Sequence, residues 1–150
     1  MYRALGRYEE TIAAYQEAIE LDEKDAYPWN WLGVVYTLQG RLKEALEAFR
    51  RAVELAPDEG TYRSSLVGIL CRLGREEEAR REMEIARPLM ENESEYSRAC
   101  FAAICGDTEE ALRLLQIALE KGQTSLAWAR RDPDLEPLHD NPRFRELVGM

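Results

Sequence analysis

The chain alternates between segments whose apolar residues recur every three or four positions and short breaks carrying glycine or proline. Trp29, Leu32 and Val35 or Tyr36 mark one side of a helix over residues 26–39 that can be buried. A second helix follows, in which Leu46, Phe49 and Val53 fill the gaps between the small residues Ala45 and Ala52. Gly40 separates the two helices and Pro57 cannot continue the second. Gly33 stands in mid-helix, where glycine costs about 1 kcal/mol relative to alanine. That cost makes sense if a neighbouring helix must come close to its backbone. The unit is a helical hairpin that cannot bury both of its faces alone.

The same pattern recurs along the chain. Gly6, Gly40 and Gly74 lie 34 residues apart, as do Ala18, Ala52 and Ala86, and Tyr15, Phe49 and Met83. Gly74, Ala79, Met83 and Ala86 then map onto Gly106, Ala111, Leu115 and Ala118 with a uniform shift of 32, which one two-residue deletion explains. Five segments follow from this register: a half repeat at 1–25, repeats at 26–59 and 60–93, a shortened repeat at 94–122, and capping helices at 123–150. In the first segment Gly6 is the turn and residues 7–21 the helix, so Tyr8, Ile12 and Tyr15 face a missing partner helix. In the third, Arg63 stands where Trp29 stood and Val67 replaces Gly33, while Pro88 is expected to end or bend the helix. In the fourth, Asp107 and Glu110 have capping-box spacing after Gly106, and Gly122 stops the helix. Beyond it, Thr124 or Ser125, Asp132-Pro133 and Asn141-Pro142 supply caps for three short helices over the last hairpin.

Trp29, Leu32, Gly33, Tyr36, Gly40, Ala45, Phe49, Ala52 and Pro57 together resemble one full copy of the tetratricopeptide repeat. The tail, with Asp132-Pro133-Asp134-Leu135 and Asn141-Pro142-Arg143-Phe144, is similar to tails that close bacterial arrays of this repeat. The resemblance implies an all-α, right-handed superhelical solenoid with a C-terminal helical cap. It also implies a non-catalytic scaffold that holds a peptide or partner domain in a concave groove lined by the first helices. Carried onto this sequence, the groove positions are Tyr27, Asn30, Val34 and Thr37 in one repeat and Ser64, Cys71 and Arg72 in the next. The carboxylate clamp used by one subgroup against acidic chaperone tails is not matched, because Thr61 and Ser65 occupy positions that should be basic. A second role is also open, in which the edge of helix 7–21 packs against another copy or another part of a longer protein.

Charge and composition narrow the partners. Twenty Lys and Arg against 29 Asp and Glu give a net charge of −9, which disfavours nucleic acid and anionic membranes. The middle repeat departs from this balance, with six arginines against five glutamates over residues 61–90. Pairing of those arginines with Glu76, Glu77, Glu78, Glu82 and Glu84 along one solvated helix accounts for most of them, leaving Arg72 toward the groove. No apolar run approaches the ~20 residues that span a bilayer, and no signal segment opens the chain, so the cytoplasm is the expected compartment. Three cysteines and one histidine offer no metal, cofactor or catalytic set. Cys100 and Cys105, five apart on one helix, point ~140° apart.

Overall fold

The computed structural model describes residues 5–150. Among these residues there are nine α-helices, one 3₁₀ helix and no strand. The helices are α1 (Leu5–Leu21), α2 (Ala26–Leu38), α3 (Leu42–Leu55), α4 (Gly60–Arg72) and α5 (Glu76–Met90). They continue as α6 (Glu95–Ile104), α7 (Thr108–Glu120) and α8 (Leu126–Arg131), then the 3₁₀ helix Pro133–Leu138 and α9 (Pro142–Val148). The pairs α2/α3, α4/α5 and α6/α7 pack as hairpins, and α2, α4 and α6 follow one another along one face of the stack.

The turns inside the hairpins form because glycine alone adopts their backbone at no steric cost. Gly40 and Gly74 have φ of 78° and 74°. Gly33 serves a different purpose: a Cβ there would lie 2.5 Å from the Phe49 ring. The aromatic ring therefore occupies the space a side chain would need, and the ~1 kcal/mol propensity cost is offset by burying Phe49 at 4% exposure. One repeat later the sizes are exchanged. Val67 is fully buried, and the flexible Met83 stands in place of the ring. Arg63 replaces the tryptophan by ion-pairing across the hairpin to Glu82 at 2.8 Å and donating to the Pro57 carbonyl at 3.1 Å.

Several expectations are corrected. The helix α1 begins at Leu5, so Gly6 lies within it. A turn glycine ends a preceding helix, and none precedes α1 among the described residues. Ile12 is buried in the core shared with α2 and α3, and Tyr8, Tyr15 and Ile19 pack against that core. These side chains do not wait for a missing helix, because α2 already covers them; Leu21 is the large apolar residue left outside. Pro88 lies within the last turn of α5, which runs two residues beyond it. The pairing expected of the middle arginines is seen for Arg63 with Glu82, Arg75 with Glu78 and Arg80 with Glu77, while Arg72 reaches Glu136 of the tail and Arg50, from outside that stretch, also reaches Glu78.

The C-terminal segment starts as expected, with Ser125, Asp132 and Asn141 capping α8, the 3₁₀ helix and α9. Leu135, Leu138, Phe144 and Val148 are at most 1% exposed in a core with Ala111, Leu112 and Leu115 of α7. It does more than close the end of the stack. The 3₁₀ helix lies against α6 and reaches α2, so this segment returns along the inner face of the stack.

Candidate functional site

The return of the tail divides the inner face. At one end, the Arg72 guanidinium donates to the Pro133 carbonyl at 2.8 Å and pairs with Glu136 at 2.7 Å. The Asp134 carboxylate lies over Gly68, where a Cβ would approach its Oδ1 to 3.2 Å. The cleft left between Val34, Thr37, Gly68, Arg72 and the tail measures about 20 Å³, room for about one water and for no side chain. This end is closed to a partner's side chain.

At the other end a cavity of about 300 Å³ remains. Its walls come from four places: Asn30, Trp31 and Val34 of α2; Thr61, Ser64 and Ser65 of α4; Tyr96, Ser97 and Cys100 of α6; and Gln123, Thr124 and Trp128 beyond α7. Asp132 and Asp134 complete it. The Trp31 and Trp128 rings sit 6.0 Å apart, tilted by 51°, so that the tail and the repeats share an aromatic wall.

The two aspartates differ in kind. Asp132, 7% exposed, is a saturated acceptor. Tyr96 donates its hydroxyl to Oδ2 at 2.5 Å, the Cys100 thiol donates to the same oxygen at 3.7 Å, and the Asp134 backbone N–H donates to Oδ1 at 3.0 Å. Burial holds both the Tyr96 hydroxyl and the Cys100 thiol well above their usual range, so each stays a proton donor. Burial also raises the Asp132 carboxyl, against the pull of these donors. By contrast, no donor among the described residues hydrogen-bonds the Asp134 carboxylate. Burial, and then the neighbouring charge of Asp132, push it well above the carboxylate range, with only Arg72 opposing. Asn30 has the same deficit. It is 7% exposed and its Oδ1 accepts no hydrogen bond.

Cys100 Sγ and one oxygen each from Asp132 and Asp134 lie within 4.8 Å of one another. As it stands this trio is a hydrogen-bonded network: its thiol is a donor and Asp132 is already occupied. A metal would have to displace the Tyr96 and Cys100 protons together.

Of the residues expected to line a groove, Asn30, Val34 and Ser64 meet at the cavity. Thr37 and Arg72 lie in the cleft that the tail fills, with the Thr37 hydroxyl donating to the Gly33 carbonyl at 2.8 Å. Tyr27 is exposed at the start of α2, 6.5 Å from Trp31, and Cys71 is exposed outside the cavity. Trp31, Tyr96, Trp128 and Asp134 were not singled out for binding. Trp31 lies four residues after Tyr27 and three before Val34, so its place on the same helix face was readable; the contribution of the tail was not.

The family description "TPR repeat" matches residues 1–40 and "Tetratricopeptide repeat" matches residues 26–59. This chain carries tetratricopeptide repeats over residues 1–59. Its fold is also similar to the crystal structure of YrrB, described as a TPR protein with an unusual peptide-binding site. The TM-score is 0.53 at 23% identity, over 95% of this chain and 79% of that one. No curated protein sequence gave a match. Among the described residues, no helix of the repeat protein is long and apolar enough to cross a membrane.

Proposed function

We propose that this chain is a non-catalytic binding module that seats a peptide, or an extended segment of a partner protein, on the inner face at the end its own tail leaves open. The carrying observation is the cavity itself, walled by three successive first helices and by partly exposed Trp31 and Trp128. Aromatic rings of this kind supply contact area at low entropic cost. YrrB is described as binding peptide; at 23% identity that likeness speaks to fold, and the binding role here rests on the cavity. A net charge of −9 favours a protein partner over nucleic acid. Its three free cysteines fit a reducing compartment such as the cytoplasm. The alternative of self-assembly through residues 7–21 has less support, since Ile12 is buried and Tyr8, Tyr15 and Ile19 pack against the core, leaving Leu21 exposed.

Random-peptide display against the whole chain, followed by calorimetric titration of the selected peptides, tests this reading. Val34 is partly exposed on the cavity wall, so Val34→Arg fills the space without opening the core. Selected peptides should bind that variant at least about tenfold more weakly, a loss of 1.4 kcal/mol. Peptides that bind it undiminished place their site elsewhere and end the proposal.

A further inference from the structure

Resting on the binding role above, we infer that the cavity is a receptor for a cationic side chain of the bound partner, an alkylammonium or guanidinium group held by Asp134 and Asn30 beside the Trp31 and Trp128 rings. Three observations point the same way. Asp134, partly exposed, carries a carboxylate that lines the cavity and receives no hydrogen bond from the described residues, while its buried neighbour Asp132 accepts from Tyr96, Cys100 and the tail backbone. Asn30 lines the same cavity, is 7% exposed, and has an acceptor oxygen with no donor. Both deficits are for donors, and both sit on the wall of one space of about 300 Å³, which is room for a side-chain end. A buried acceptor without a donor is costly and calls for a ligand that supplies one.

The surroundings select the charge. Arg72, the cation nearest Asp134, is committed to Glu136 and the Pro133 carbonyl. At the rim, Thr61 donates to Glu93, and burial, followed by the hydrogen bond and charge of Glu93, raises the Glu59 carboxyl, so acidic groups gather at the approach. The indole faces of Trp31 and Trp128 attract a cation through their ring quadrupoles. An anionic peptide end would meet carboxylates where it needs donors. A bare metal ion would leave most of the cavity unfilled and would require the Cys100 thiol to surrender the proton it gives to Asp132.

Chemical-shift titration of the full chain separates these possibilities. The probes are Nα-acetyl-lysine amide, Nα-acetyl-arginine amide, the neutral isostere Nα-acetyl-norleucine amide, and zinc chloride. The lysine or arginine amide should shift the amide resonances of Asn30 and Asp134 with an affinity at least about tenfold above that of the norleucine amide, a difference of 1.4 kcal/mol. The stronger of the two names the head group. Asp134→Asn should abolish that preference while leaving Tm unchanged or raised by about 2–4 °C, because a neutral amide of the same shape replaces a partly buried carboxyl whose charging opposes folding. Asn30→Leu, with the same heavy-atom branching and no acceptor, should weaken it in the same direction.

Equal response to the charged and neutral amides overturns the inference. So does a preference that survives both substitutions, or saturation by zinc with no response to either amine. The two proposals fail separately. Selected peptides that depend on Val34 but contain no required cation leave the binding module standing and remove its charge preference. Absence of any Val34-dependent peptide removes the module, while the amide titration still judges the cavity alone.

Discussion

Thr37, Gly68 and Arg72 at one end of the inner face meet the chain's own tail, whereas Asn30, Val34 and Ser64 at the other line a cavity. The same two helices, α2 and α4, serve both ends. The difference lies in what the tail must bury. Leu135 and Leu138 are drawn into the core with α7, and this fixes Pro133 and Asp134 over Gly68. The filled end is thus settled by apolar burial, of about 1.5–3 kcal/mol per large side chain. The open end keeps polar groups whose partners the chain does not provide. A tethered segment can satisfy a surface only as far as its own core anchors allow, and the remainder is available to something else.

The largest break in this contrast comes from the anchor. Leu135→Ala should cost about 2–5 kcal/mol by chemical denaturation, and limited proteolysis should then cut the tail near Arg130 or Arg131. A wild-type cleavage rate in that variant would show that burial of Leu135 does not seat the tail. Next is Gly68→Val, which crowds Asp134 and Ile104 at the filled end and should cost about 1–3 kcal/mol. Ser64 is buried on the same helix but faces the cavity, so Ser64→Val should cost less. Equal losses would erase the distinction between the ends.

A pH series sharpens the comparison. The Asp132 and Asp134 carboxyls are raised above the ordinary 3.8, chiefly by burial, so charging them opposes folding. Their stabilisation is complete below the unfolded value and fades as pH climbs through the raised folded values. Tm should therefore rise as pH is lowered from the alkaline side through those raised values. Below 4.5 it should turn down, because Glu95 is held at about 2 by hydrogen bonds from Lys121 and Gln123, and its contribution disappears as it protonates. Asp134 is faced by Arg72, Asp132 and Cys100, and Asp134→Asn should flatten the upper limb. A slope unchanged by that substitution would assign the effect to other carboxylates. The smallest effect is Arg72→Ala. Its partner Glu136 is 60% exposed, so the loss should be about 0.2–1 kcal/mol. A larger loss would mean that the ion pair, and not Leu135 and Leu138, holds the tail down.

The hairpins were legible because each repeat must hide the flank of the next, which imposes its large and small residues at a fixed interval. Gly33 against Phe49 shows this directly: the sequence contained a costly mid-helix glycine, and the structure shows the ring that requires it. Part of the cavity wall was legible through the resemblance, since Asn30, Val34 and Ser64 are among the groove positions carried over from the repeat. Gly6, Tyr8 and Ile12 misled, because a half repeat has the same local pattern whether its apolar face waits for a missing helix or rests on the next one.

Residue periodicity by itself thus determined that this chain stacks helical pairs and where the complete pairs turn, because these depend on contacts between neighbours a fixed distance apart in sequence; the repeat it resembles supplied which helices line the inner face. Only the tertiary structure decided that the tail doubles back between Arg72 and Gly68, and that Asp134 and Trp128 join Asn30 and Trp31 around one cavity. Those contacts join residues 61 to about 100 positions apart. No local pattern encodes them; they arise from where buried leucines can find a core.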